Sequence, residues 1–131
     1  MITQKNQKII FIVDDDEFFA QVLKDHLEKS PKYIVELYST GEECLNELDK
    51  KPDLIILDFY LNKVNKEAAN GLEILKKIKR NNNHQNVIML SGQEQYGIAL
   101  QTMAKGAEKY VMKDKSSFSE IDTIIKELLR R

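Results

Sequence analysis

The chain has 131 residues, with 20 basic and 21 acidic side chains and a formal net charge of -1 at pH 7. This balance, without a polybasic tract, argues against direct binding of nucleic acid or of an anionic membrane surface. The single cysteine cannot form an internal disulfide and no apolar run approaches the roughly 20 residues that span a bilayer, so we expect a soluble protein of the reducing cytoplasm.

Five short apolar runs recur along the chain, and each is followed by a stretch with helical spacing. The runs cover residues 8–13, 33–38, 53–57, 86–90 and 108–112. Continuous apolar runs of this length are typical of parallel strands buried on both faces, and right-handed crossovers place the connecting helices on both faces of such a sheet. The sequence therefore predicts a doubly wound α/β sandwich of five parallel strands, in a single domain that covers residues 1–131.

Three helix starts can be predicted from capping residues. Asp16 follows the first apolar run and can accept hydrogen bonds from the free N–H groups of the first helix. Thr40 with Glu43, and Ser117 with Glu120, have the S/T-x-x-E spacing of a capping box. These pairs predict that the second and fifth helices begin there.

The connection after the third strand is longer than is usual in strand-helix units. It follows Asp58 and reaches the next helical pattern only near Gly71. We expect residues 62–70 to be a tolerated insertion, and a recognition element is the alternative.

Polar side chains stand at the ends of four predicted strands. They are Asp14 and Asp15 after the first strand, Asp58 after the third, Ser91 after the fourth and Lys113 after the fifth. Because ligands of open α/β sheets bind at the carboxyl ends of the strands, we expect these side chains to converge. Three carboxylates suit Mg²⁺, whereas an ammonium and a hydroxyl suit a phosphoryl group. The sequence therefore predicts a site for phosphoryl transfer.

These residues resemble the motifs of a known family, the receiver domain of two-component response regulators, including its stand-alone chemotaxis-type members. The similar segments are Val13-Asp14-Asp15, Leu57-Asp58, Leu90-Ser91-Gly92 and the run from Lys105 to Lys113. They occur in the family's order and the resemblance covers nearly the whole chain. It implies a flavodoxin-like (βα)5 three-layer sandwich with strand order 2-1-3-4-5.

The resemblance also implies a reaction. A sensor histidine kinase or a histidine phosphotransfer protein would donate a phosphoryl group to Asp58, with Lys113 paired to a phosphoryl oxygen. Mg²⁺ would be held by Asp15, Asp58 and the backbone carbonyl of Tyr60, and Asp14 would act largely through water. By this resemblance the protein is a signalling phosphoacceptor and not an enzyme, with only self-phosphorylation and autodephosphorylation expected.

A conformational switch is implied as well. Ser91 would turn towards the phosphoryl group and Tyr110 would swing inward, which reshapes the face of the fourth helix, fifth strand and fifth helix for a downstream protein partner. Tyr60 and Gln93 occupy positions that tune hydrolysis of the acyl phosphate in this family. A phosphorylation-dependent homodimer is left open.

The chain departs from the family pattern in two places. Asp114 follows the strand-five lysine where proline is usual, and the loop after Asp58 is extended. A pseudo-receiver that binds partners without phosphate is therefore one alternative. A haloacid-dehalogenase-like phosphatase is a second alternative, since Asp14 and Asp16 match the D-x-D motif of that group. It is less favoured, because Phe18 stands where the motif requires threonine or valine.

Phe18 has two interpretations. It lies beside the apolar stripe of the first helix and close to the acidic run. Core packing and docking of a partner kinase fit this position equally well, since exposed aromatic side chains near a site often anchor partners.

Overall fold

The computed structural model describes residues 7–92 and 96–130. The strands are β1 (Lys8–Val13), β2 (Tyr33–Tyr38), β3 (Leu54–Asp58), β4 (Val87–Ser91) and β5 (Lys109–Met112). The helices are α1 (Glu17–Leu27), α2 (Gly41–Leu45), α3 (Gly71–Asn81), α4 (Tyr96–Ala104) and α5 (Ser117–Leu128), with one 3₁₀ turn at Leu48–Lys50. Each strand begins and ends within one residue of its predicted run.

The strands form one parallel sheet in the order β2-β1-β3-β4-β5. This confirms the doubly wound α/β fold and the strand order 2-1-3-4-5. Val13 pairs with Tyr38 on one side and with Leu57 on the other, so β1 and β3 end side by side. The direction of winding reverses between these two strands, and a crevice therefore opens at their carboxyl ends.

The hydrophobic core lies on both faces of the sheet. Ile10 and Ile12 of β1 face a cluster that includes Leu23 of α1 and Ile121 of α5. Phe11 and its alternate neighbours face a second cluster that contains side chains of α2 and α3. Because successive strand residues point to opposite faces, the continuous apolar runs supply both clusters at once. Across the described ranges, every helix is too short or too polar to cross a bilayer.

Two of the predicted helix caps are confirmed. The Phe19 N–H donates to Asp16 Oδ1 at 3.0 Å at the start of α1. The Glu43 N–H donates to Thr40 Oγ1 at 3.2 Å at the start of α2. Each cap satisfies a backbone donor that the helix itself leaves free.

The predicted capping box of Ser117 and Glu120 is wrong. Ser117 is the first residue of α5 and its hydroxyl donates to the carbonyl of Asp114 at 2.9 Å. The Asp114 carboxylate accepts from both the N–H and the hydroxyl of Ser116 at 2.9 Å. Asp114 therefore organises the turn before α5, and its acceptors take the serine hydroxyls that a capping box would need.

The start of α3 contains a capping box that the sequence analysis did not identify. The Glu73 N–H donates to Asn70 Oδ1 at 3.0 Å, and the Asn70 N–H donates to Glu73 Oε1 at 3.2 Å. A side chain at Gly71 would meet the backbone of β3, because a Cβ there would lie 2.3 Å from the Asp58 carbonyl oxygen and 2.7 Å from Phe59 Cα. Glycine thus lets α3 begin directly against the end of β3.

We expect Gly71→Ala to lower the free energy of unfolding by about 1–3 kcal/mol, because the added methyl group collides with backbone that has little freedom to move. Urea denaturation measures the change. Gly97→Ala in α4 is the matched control, since a Cβ at Gly97 would have no neighbour within 4 Å. There alanine should raise stability by about 0.5–1 kcal/mol. Equal midpoints for the two variants would contradict the close approach at Gly71.

Candidate functional site

Three carboxylates meet at the carboxyl ends of β1 and β3. One oxygen of each of Asp14, Asp15 and Asp58 lies within 4.8 Å of the others. All three side chains are buried, with exposed fractions of 1%, 8% and 1% for their residues in that order. The structure therefore brings together the three acids that the sequence analysis placed at this edge of the sheet.

Lys113 reaches into the same cluster from the end of β5. Its Nζ lies 2.8 Å from Asp14 Oδ2 and 3.5 Å from Asp58 Oδ1. The ammonium also lies 4.5 Å from the centroid of the Phe19 ring, in a cation–π contact. The Lys113 N–H donates to the Ser91 carbonyl at 2.8 Å, which fixes the backbone of the lysine beside β4.

Burial perturbs the protonation of these groups. Burial raises the pKa of Asp58 to about 7, and the negative charge of Asp14 adds to this effect while Lys113 opposes it. Burial also raises the pKa of Asp14. For Lys113, burial lowers the pKa, but the carboxylates of Asp58 and Asp14 outweigh it and the pKa rises. The site therefore concentrates negative charge that a bound cation would stabilise.

The oxygen atoms of the cluster suit a hard divalent cation. Within the described ranges, both carboxylate oxygens of Asp58 are buried and accept no hydrogen bond. Asp15 is held by one oxygen, since its Oδ2 accepts from the N–H groups of Lys63 and Val64 at 3.0 and 3.1 Å. Oxygen donors of this kind are the ligands of Mg²⁺. The residues present thus fit a magnesium ion.

Ser91 and Tyr110 lie on the two strands beside this cluster. Asp58 pairs with Leu90, so Ser91 is one residue further towards the carboxyl edge, and its side chain is buried. Tyr110 pairs with Met89 and is half-buried, packed against the apolar cluster shared with α3. Ser91 therefore lies at the edge with the acids, whereas Tyr110 lies further back along β5.

Three further residues were predicted at or near the site, and the structure describes two of them. Tyr60 is half-buried, and its ring lies 4.8 Å from that of Phe59 in an edge-on contact. Gln93 lies outside the described residues. Phe18 is 81% exposed at the start of α1, so core packing is the wrong interpretation of this residue.

Some contacts of the site were not predicted. An aromatic residue in α1 is typical of core packing, and nothing in the sequence shows the contact of Phe19 with Lys113. The N–H groups of Lys63 and Val64 have no signature in residue type, because every residue except proline carries one. Only the path of the loop after β3 brings them to Asp15.

A known family model matches most of the chain. The family described as Response regulator receiver domain matches residues 10–126. The alkaline phosphatase synthesis transcriptional regulatory protein PhoP of Bacillus subtilis is 33% identical over 127 residues, which are 96% of this chain and 50% of that protein. The chain thus spans about half the length of this relative.

Two other similar proteins are matched over most of their length. The chemotaxis protein CheY of Listeria monocytogenes is 30% identical over 105 residues, which are 79% of this chain and 84% of that protein. The crystal structure of a CheY-like response regulator receiver domain protein from Methanospirillum hungatei superposes with a TM-score of 0.80 at 26% identity, and 95% of each chain is covered. Sequence and fold therefore indicate the same family.

We expect Asp58→Asn to raise the free energy of unfolding at pH 8 without divalent cations by roughly 1–4 kcal/mol, since each pKa unit is worth about 1.4 kcal/mol. The folded pKa of about 7 lies above the ordinary 3.8. Protonated Asp58 therefore contributes stability that is fully present below pH 4 and is lost as the pH rises through 7. Urea denaturation from pH 4 to pH 8 measures how far the two proteins diverge.

The control for this experiment is Asp16→Asn. Asp16 is exposed and caps α1, and asparagine caps a helix about as well as aspartate. This variant should follow the wild-type pH profile. If Asp58→Asn followed the wild-type profile too, the buried negative charge at Asp58 would be disproved.

Proposed function

The chain belongs to the response regulator receiver domain family, and we propose that it is a two-component phosphoacceptor in which Asp58 takes the phosphoryl group. Receiver domains are signalling domains that work with histidine kinases and downstream partners. The main support for the proposal is the environment of the Asp58 carboxylate. Its two carboxylate oxygens are buried and accept no hydrogen bond within the described part of the chain, and an ammonium lies 3.5 Å away.

The proposed reaction is an in-line displacement at phosphorus. An Asp58 oxygen attacks the phosphorus of a phosphohistidine on the partner, so an O–P bond forms as the P–N bond breaks. The electron pair of the P–N bond goes to the imidazole nitrogen, and the product is an acyl phosphate on Asp58. Lys113 pairs with a phosphoryl oxygen and the Ser91 hydroxyl donates to another, which stabilises charge on the transferred group.

Receiver domains bind Mg²⁺ at an acidic pocket, and the cluster fits that use. Asp15, Asp58 and the backbone carbonyl of Tyr60 would hold the ion, and Asp14 would act through water. A bound Mg²⁺ supplies positive charge beside the phosphoryl oxygens. Asp14 also pairs with Lys113 at 2.8 Å, which keeps the ammonium beside the phosphoacceptor.

The output of the switch is proposed to be the face of α4, β5 and α5. Movement of Ser91 towards a phosphoryl group frees space into which Tyr110 can turn, which reshapes that face. Two apolar side chains of α4 are already exposed, Leu100 at 72% and Met103 at 45%. They give a downstream protein an apolar surface to bind.

The start of α1 is proposed to receive the phosphodonor. Phe18 is 81% exposed and Val22, one turn further along, is 38% exposed. Both side chains stand on the helix that follows the acidic cluster, so a partner that contacts them can present its phosphohistidine to Asp58. Tuning of acyl phosphate hydrolysis by Tyr60 and Gln93 stays a prediction from the family resemblance.

We expect the wild-type protein to gain one phosphoryl group when it is incubated with Mg²⁺ and acetyl phosphate or phosphoramidate. Asp58→Asn should gain none, because the nucleophilic oxygen is replaced by an amide. Asp14→Asn should be labelled more slowly, since it weakens the ion site. Intact-protein mass spectrometry measures the product.

Asp16→Asn is the matched control for labelling. It removes an aspartate from the same acidic run and should be labelled like the wild type. A wild-type protein that takes up no phosphate would instead favour the pseudo-receiver. Turnover of many phosphate esters per protein molecule would favour the phosphatase.

We expect beryllofluoride with Mg²⁺ to shift the NMR resonances of Tyr110 and of α4. Ser91→Ala should still bind beryllofluoride at Asp58 but show a smaller shift at Tyr110, because the hydroxyl that couples the two positions is gone. Ser30→Ala, in the turn that follows α1, is the control and should behave like the wild type. An undiminished Tyr110 shift in Ser91→Ala would refute the proposed coupling.

A further inference from the structure

The β3–α3 loop (residues 59–70) is docked against the rest of the protein along its length. The N–H groups of Lys63 and Val64 donate to Asp15 Oδ2 at 3.0 and 3.1 Å. Nearer α3, the Ala69 N–H donates to Glu42 Oε2 at 3.0 Å. Leu61 is completely buried. An insertion that was merely tolerated would not need the two hydrogen bonds to Asp15.

The two bonds to Asp15 restrict the carboxylate that would ligate a metal ion. Both N–H groups approach the same oxygen, so the carboxylate is held in one orientation while the described contacts leave Oδ1 available. Hydrogen bonds to an ionised carboxylate are stronger than those between neutral groups. A ligand that is fixed before the ion arrives loses less freedom on binding.

We propose that the β3–α3 loop is a positioning element of the metal site: the N–H groups of Lys63 and Val64 orient Asp15 for Mg²⁺, so that loop order and metal affinity are coupled. The inference rests on the proposed function, because it concerns the ion that the phosphoacceptor site would use. At metal sites, hydrogen bonds from surrounding groups orient the ligands of the ion. In this protein the backbone of the loop provides such hydrogen bonds to Asp15.

The side chain of Lys63 agrees with this placement. Its positive charge interacts favourably with the Asp58 carboxylate, as the charge of Lys113 does. The loop therefore brings a positive charge towards the phosphoacceptor as well as two N–H donors to Asp15. Val64 itself is 77% exposed, so its contribution to the site comes from its backbone and not from its side chain.

The test is Mg²⁺ binding by variants that lose a single N–H group. Val64→Pro removes one donor to Asp15 and should weaken Mg²⁺ binding roughly 10-fold, the scale expected when an outer contact of a metal ligand is lost. Val64→Ala keeps the N–H and should bind Mg²⁺ like the wild type. Isothermal titration calorimetry with Mg²⁺ alone measures both affinities.

Lys66→Pro is the matched proline control. The Ala68 N–H donates to the Asn65 carbonyl at 3.0 Å, which makes Lys66 the second residue of a turn, a position that favours proline. Its own N–H donates no hydrogen bond within the described ranges. Lys66→Pro should therefore keep wild-type Mg²⁺ affinity. Equal affinities for Val64→Pro and Lys66→Pro would overturn the proposal.

Hydrogen exchange on the wild-type protein provides a test that does not depend on a proline variant folding. The Lys63 and Val64 amides should exchange more slowly than the Lys66 amide, and saturating Mg²⁺ should slow them further because it fixes Asp15. Exchange of the first two amides that is unaffected by Mg²⁺ would overturn the coupling.

Labelling with acetyl phosphate in the same preparations separates this inference from the proposed function. If the wild-type protein is labelled and the Val64→Pro variant keeps the wild-type Mg²⁺ affinity, the loop's role is refuted. The phosphoacceptor function then stands. A wild-type protein that neither binds Mg²⁺ nor takes up phosphate would overturn both.

Discussion

Three buried carboxylates are crowded at one edge of the sheet, and two of them, Asp14 and Asp58, lie within 3.5 Å of the Lys113 ammonium. Burial of like charges is unfavourable, and it raises the pKa of Asp58 to about 7. The apolar clusters on the two faces of the sheet must offset this cost, since they supply most of the favourable free energy of folding. A bound cation would stabilise the same concentration of negative charge. Stability is therefore reduced at the edge of the sheet where the candidate site lies.

The backbone around the cluster holds the carboxylates in place. Parallel pairing of β1 with β3 places Asp14 and Asp58 at neighbouring strand ends. Gly71 allows α3 to begin against the carbonyl of Asp58, and the loop before α3 donates two N–H groups to Asp15. Asp16 belongs to the same acidic run but caps α1, which removes it from the cluster. Neighbouring aspartates thus acquire different roles from their backbone surroundings.

Much of the fold could be predicted because its signals are local. The five apolar runs match the strands to within one residue, and Asp16 and Thr40 cap their helices as their spacing indicates. The start of α5 was predicted wrongly. Ser117 and Glu120 have the residue types and spacing of a capping box, but the Ser117 hydroxyl donates to the Asp114 carbonyl instead. Residue type shows which partners a hydroxyl can bind. It does not show which of them the chain brings closest.

Residue type and order are enough to predict the sheet, its winding and the edge that carries the site, because periodicity and strand ends follow from them. The predicted residues at this edge are Asp14, Asp15, Asp58, Ser91 and Lys113. The contacts that hold those groups in place follow from the folded structure alone. The contact of Phe19 with Lys113 and the N–H groups of Lys63 and Val64 on Asp15 depend on distances across the fold. Such contacts have no local signature, since aromatic rings occur throughout cores and N–H groups at nearly every residue.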